Sequence, residues 1–136
     1  MKILGAIIGG LLIMFTLAAA QQAGQTQPGQ DVPKFDPKNQ EVITATVQEV
    51  KDYHCPVTGS LGTHLTVKTT TGGTYEAHLA PAAFLKEFGM NFKQWETVTI
   101  TGTKVTFDGK PAILARLIKV KNETYMFRDE KGRPLW

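Results

Sequence analysis

Cysteine is almost absent. Cys55 stands alone in 136 residues, which excludes an intramolecular disulfide and leaves its thiol free, paired with another chain, or available as a ligand. A dominant charge is missing as well: 15 basic and 12 acidic residues give a formal +3 at pH 7. So small a balance exerts little pull toward nucleic acid or an anionic membrane. Past the N-terminal segment no apolar run approaches the ~20 residues that a bilayer span needs. No zinc-finger spacing, haem-attachment signature or Gly-rich oxyanion loop occurs, and no evident third group would orient a Cys–His pair for nucleophilic chemistry. An enzyme is therefore not expected.

What is present begins with a leader. Lys2, the apolar run from Ile3 to Leu17 and the small residues Ala18-Ala19-Ala20 have the layout of a secretory signal peptide cut after Ala20. That predicts a periplasmic or secreted protein with no membrane span after cleavage. Residues 21–40 are rich in Gln, Gly and Pro and poor in aliphatics, too few apolar groups to offset the entropy of ordering. They read as a flexible leader from which Phe35 could reach the domain, and residues 41–136 read as that domain.

From Glu41 the hydropathy alternates with period two. Ile43, Ala45 and Val47 form the buried side of a first strand, and Leu65 and Val67 that of a second over 65–70. Tyr75, Ala77 and Leu79 do the same for a third over 74–80. Placing Val67 opposite Ala77 leaves the loop Thr71-Gly72-Gly73, which suits a type I turn closed by a left-handed glycine. Lys68 then faces Glu76, and Thr66 faces His78. Pro81 to Gly89 reads as a short helix with Phe84, Leu85 and Phe88 on one face. Val98 and Ile100 mark a fourth strand that runs to the Asp108-Gly109 hairpin signal. Residues 112–120 form a fifth and 124–128 a short sixth. Phe84, Phe88, Phe92 and Trp95 are expected in the core around the helix. The order β-β-β-α-β-β predicts an all-β domain with one short helix, a five-stranded OB-fold-like barrel with a short C-terminal strand.

The phrases "GTHLTVKT" (62–69), "YEAHLAPAAFL" (75–85), "VTITGTKVTFDGKPAILAR" (98–116) and "FRDEKGRPLW" (127–136), with "FDP" at 35–37, resemble a family of small exported, uncharacterised bacterial OB-fold-like proteins. More distantly the architecture is similar to the bacterial OB-fold (BOF) family of periplasmic stress-associated proteins. The resemblance implies fold, compartment and a ligand-binding rather than catalytic role. It brings no catalytic residues with it.

All three histidines and the cysteine fall between residues 54 and 78. OB-folds bind ligands across the outer face of strands two and three, beside the loop joining strands one and two. On that face the alternation places His64, Thr66, Lys68, Glu76 and His78, a candidate ligand surface bordered by the loop over 52–64. His64 and His78 stand diagonal, about 7–8 Å apart between backbones. With His54 and Cys55 reaching in from the loop, they form a candidate metal set for copper or zinc, since thiolate with imidazole suits both ions. The outer positions carry no Phe or Trp for base stacking, which argues against nucleic acid. The expected function is thus a non-catalytic binding module for an envelope protein or small ligand. The alternative is a copper or zinc protein using His54, Cys55, His64 and His78.

Overall fold

The structure is a computed structural model that describes residues 32–136. The signal peptide expected at 1–20 and the leader as far as residue 31 lie outside the described residues. After a 3-10 turn at Pro37–Asn39 come β1 (Gln40–Cys55), β2 (Ser60–Thr69), β3 (Thr74–Pro81), α1 (Ala82–Glu87), β4 (Thr97–Phe107), β5 (Lys110–Val120) and β6 (Glu123–Met126). The sheet runs β3-β2-β1-β4-β5-β6, and a parallel pairing of β3 with β5 closes it into a ring. This is the predicted all-β fold with one short helix, its sheet closed into a barrel-like ring. Closure removes the exposed edges of the five principal strands. Among the described residues no helix is long and apolar enough to cross a membrane.

Alternation fills the interior as expected: Ile43, Ala45, Val47, Leu65, Val67, Ala77, Leu79, Val98 and Ile100 are buried, joined by Ile113, Ala115, Ile118 and Phe127. The Asp108-Gly109 turn also forms, with both residues at positive φ (52° and 72°), as a two-residue hairpin of right-handed strands requires.

Three expectations need correction. The β2–β3 register differs by two residues: Leu65 faces Ala77, Thr66 faces Glu76 and His64 faces His78 directly. A shift of two preserves the faces while changing every partner. The turn explains it. Gly72, at φ +98°, takes the left-handed position of the loop Thr70-Thr71-Gly72. The Thr69 N–H donates to the Gly73 carbonyl at 2.8 Å, and the Gly73 N–H donates to the Thr69 hydroxyl at 3.1 Å.

Secondly, the segment 52–64 is not a loop. β1 continues to Cys55 and β2 begins at Ser60, so only Pro56 to Gly59 turn. A bulge after Val47 lets β1 bend and leave one sheet partner for another. Its first half pairs with β4 and its second half with β2.

The third correction concerns two aromatics expected in the core, Phe88 and Trp95, which are 60% and 67% exposed. Phe88 is the residue that ends α1. Trp95 sits at φ +71°, with its N–H donating to the Val47 carbonyl at 2.7 Å, a backbone bond that leaves its ring outside. Phe84 and Phe92 do pack on the core, as does Trp136 of the tail.

The chain just before β1 is tied down. Asp36 exchanges hydrogen bonds with the Thr103 hydroxyl, at 3.3 Å as donor and 3.0 Å as acceptor. Phe35 lies over Gly132, where a Cβ would come within 2.4 Å of its ring.

Candidate metal centre on strands β1 to β3

The long β1 decides which side chains meet. Along its second half Lys51, Tyr53 and Cys55 alternate on one face, and they pair with His64, Gly62 and Ser60 of β2. Across β2, His64 pairs with His78 of β3. One face of three adjacent strands thus carries Cys55, His64 and His78. Their ligand atoms all lie within 4.8 Å of one another.

This face is not solvated at the histidines, contrary to the expectation of an open ligand surface. His64 is 0% and His78 2% exposed, and Cys55 4%. Two aromatic rings cover them. Tyr53 stacks on His64 with centroids 3.7 Å apart and planes at 10°, and Phe107, at the end of β4, meets the edge of His78 at 5.5 Å. The two imidazoles meet edge to face at 4.7 Å. Of the other three residues assigned to the ligand surface, Lys68 is exposed and Thr66 half-buried. Glu76 is engaged by its neighbours: it accepts a short hydrogen bond from the Tyr53 hydroxyl and an ion pair from Lys51 at 3.6 Å.

The turn after β1 seals the cysteine. The Thr58 hydroxyl bonds the carbonyls of Cys55 and Ser60 at 3.2 and 3.1 Å, and Thr58 itself is buried over Gly62. A Cβ on Gly62 would lie 2.4 Å from the Thr58 hydroxyl, so glycine is what lets the turn fold onto the strands. Pro56 has no N–H to offer, but the N–H groups of Val57 and Thr58 are aimed at the Cys55 sulfur. Burial raises the thiol's pKa, and these two donors oppose the rise.

Electrostatically the cluster favours neutral imidazoles. Burial first, then the proximity of His78, pushes His64 down to about 4, against the opposing pull of Glu76 and of the Gly62 backbone. Burial also lowers His78. Burial would raise Glu76, but the Tyr53 hydrogen bond and the charge of Lys51 outweigh it and hold the carboxyl low. Tyr53 is raised, by burial and then by Glu76. Neutral imidazole is the form that binds a metal ion.

The hydrogen-bond account is incomplete at one residue. Cys55 Sγ lies 3.4 Å from His78 Nδ1, which suits a thiol donating to imidazole. Neither ring nitrogen of His64 completes a hydrogen bond of normal geometry, although the Gly62 backbone lies near enough to oppose the fall in its pKa. Buried polar atoms are nearly always satisfied, and each orphan costs roughly 1–3 kcal/mol.

The structure does not bring His54 to this group. It follows Tyr53 and precedes Cys55 on an extended strand, so it faces the other way, and it is exposed. Conversely, Tyr53, Phe107 and Thr58 belong to the site although their residue types carry no metal-ligand signal. Continuing the period-two count of β1 past Val50 would have aligned Tyr53 with Cys55. Nothing in the sequence signals that Phe107 closes over His78.

Grooves of about 290 and 240 Å³ flank the cluster. The first is lined by His54, Cys55, Pro56, Gly59 and Ser60, and the second includes Lys51, Tyr53, Glu76 and Phe107. A larger cleft of about 350 Å³ between Asn91, Glu96 and Tyr125 shares no residue with them.

Comparison with known proteins adds a family. The model of the MamS/MamX magnetosome protein family matches residues 39–125, more than half of the chain. The chain belongs to that family. The matched span runs from just before β1 almost to the end of β6 and contains Cys55, His64 and His78. Neither the curated proteins nor the solved structures yielded a match.

Proposed function

We propose that this MamS/MamX family member is an exported, non-catalytic metal-binding protein that holds one copper or zinc ion with Cys55, His64 and His78. The observation that carries the reading is the buried His64, whose two nitrogens complete no hydrogen bond of normal geometry although a thiol and a second imidazole converge beside it. A metal ion would satisfy one of these nitrogens and replace the thiol proton. A sulfur and a nitrogen bound to one zinc-sized ion, at about 2.3 and 2.0–2.1 Å, stand about 3.5 Å apart. Cys55 Sγ and His78 Nδ1 are 3.4 Å apart without any ion. The family description names magnetosomes and no ligand, so the reading rests on the side chains.

Tyr53 supports the set from outside. Its ring holds the plane of His64 and is itself fixed by Glu76 and Lys51. Such outer partners commonly orient metal-binding imidazoles.

Native mass spectrometry of the purified protein with zinc or cuprous ion tests the proposal. One ion per chain is expected, lost in Cys55→Ala and His64→Gln and retained in His54→Ala. A protein that binds no stoichiometric metal, or binds it equally well in all variants, would overturn it.

A further inference from the structure

Resting on the metal-centre reading above, we infer that the resident ion is copper and that the site exchanges single electrons between Cu(II) and Cu(I). Two imidazoles and one thiolate are the donor set of trigonal electron-transfer copper sites. The closed zinc sites that serve structure need four protein ligands, and the open ones that serve catalysis keep a position for water. Neither pattern is met. Among the described residues no fourth histidine, cysteine or carboxylate joins the three. Glu76, the nearby carboxylate, is occupied by Tyr53 and Lys51. The three ligand residues are 0–4% exposed, and rings press on both imidazoles, which leaves little room for a bound water.

Rigidity points the same way. Each ligand stands on a different strand, β1, β2 and β3, and these are hydrogen-bonded neighbours in a closed sheet. Positions on strands are held more tightly than positions on loops. The ligand set would therefore change little when the charge on the ion changes. In the step itself one electron enters Cu(II) from a one-electron donor, giving Cu(I). No bond forms or breaks, and no proton moves, because the thiolate and both neutral imidazoles remain bound. The backbone N–H groups of Val57 and Thr58 lie next to the sulfur, and hydrogen bonding at this sulfur is one means by which a protein tunes such a potential.

The ligands also have a way out to the surface. Tyr53 stacks on His64, and Phe107 packs perpendicular to His78. Both rings are half-buried and line the same groove. A single ring thus separates each imidazole from an approaching electron carrier. Cys55 lies at the floor of the other groove.

The test loads the purified protein with Cu(II), and separately with Zn(II), and follows visible absorption and electron paramagnetic resonance. Supporting results are an intense thiolate-to-copper charge-transfer band, its bleaching by ascorbate and its return with ferricyanide over repeated cycles. The band should be absent in Cys55→Ala and His78→Gln, with far-UV circular dichroism confirming that both variants fold. If a variant does not fold, extended X-ray absorption of the copper-loaded parent gives the same information, one sulfur and two nitrogen neighbours being expected. Stoichiometric zinc binding with no copper–thiolate band, or irreversible oxidation of Cys55 by Cu(II), would overturn electron exchange while leaving the metal centre standing. Failure to bind either ion would overturn both.

Discussion

Among the described residues two side chains bury a nitrogen without completing a hydrogen bond of normal geometry, His64 on β2 and, at its Nε, Arg128 beyond β6, and they differ in what surrounds them. Arg128 lies under two rings, with its guanidinium 4.9 Å from the centroid of Trp136 and 5.8 Å from that of Phe35. Its Nη1 donates to the Gly132 carbonyl at 3.0 Å. The aromatic faces attract the cation directly, and no group of metal-ligand atoms converges there among the described residues. His64 also lies under a ring, but as a neutral imidazole with a thiol and a second imidazole in reach. An orphaned nitrogen therefore indicates a missing ligand only where other donors share its space. Beside Arg128 the orphan is explained by the cation's own packing, and it acts as a clasp for the tail.

The comparison breaks most readily at the principal residue of each region. Cys55→Ala should remove a metal-ligand bond and lower the affinity by roughly 10³-fold, given that complete sites of this kind contribute ~10 kcal/mol or more. Metal-free stability should fall by about 1–2 kcal/mol, the cost of leaving His78 Nδ1 without the thiol that faces it. Arg128→Ala should do the opposite. It loses two ring contacts, each worth about 0.5–2 kcal/mol, and the hydrogen bond to the Gly132 carbonyl, so about 2–4 kcal/mol of stability should vanish in denaturant melts while the metal affinity stays put. If Arg128→Ala abolished metal binding in a folded protein, the two regions would not be independent.

Each region also has a glycine with a side chain lying across it, Gly62 beneath Thr58 and Gly132 beneath Phe35, both leaving 2.4 Å for a Cβ. Gly132→Ala should be the costlier change, about 2–3 kcal/mol, because it combines overpacking with φ +81°, a conformation that a side chain resists. Gly62→Ala should cost about 1–2 kcal/mol by displacing Thr58. It should also weaken metal binding by about 10-fold, since the turn that covers Cys55 shifts with it. Calorimetric melts read the first effect and ion titration the second.

Alternating strands made the barrel legible, and the faces of β2 and β3 followed from Leu65, Val67, Ala77 and Leu79 alone. That parity already set His64 and His78 on one side. It could not give their pairing, because two loops of equal length fit the Thr-Thr-Gly-Gly stretch and the Thr69 hydroxyl selects between them. Nor did the pattern reveal how far β1 extends. Beyond Val50 its residues are polar on both faces, so the strand read as a loop and the cysteine lost its face. His54 and Cys55 can both reach one ion only from a loop, whereas on β1 the two neighbours point in opposite directions. The burial of the histidines depends on Tyr53 and Phe107, one from a strand read as a loop and one from the far end of β4.

The finest test of the contrast is at the neighbours of His64 and Cys55. Tyr53→Phe keeps the ring that stacks on His64 and deletes only the hydroxyl that donates to Glu76. If the tyrosine serves to fix the imidazole plane, metal affinity should fall by less than about 10-fold and stability by about 1 kcal/mol. Tyr53→Ala should cost more on both counts, because it opens His64 to water. His54→Ala, one residue along the same strand, should alter neither quantity measurably, within about 0.5 kcal/mol for an exposed side chain. The three results together ask whether binding follows the face or the sequence neighbourhood. An effect of His54→Ala as large as that of Tyr53→Ala would mean that the ion sits outside the strand face, in the groove beside Pro56 and Ser60, and that the buried triad is not its home.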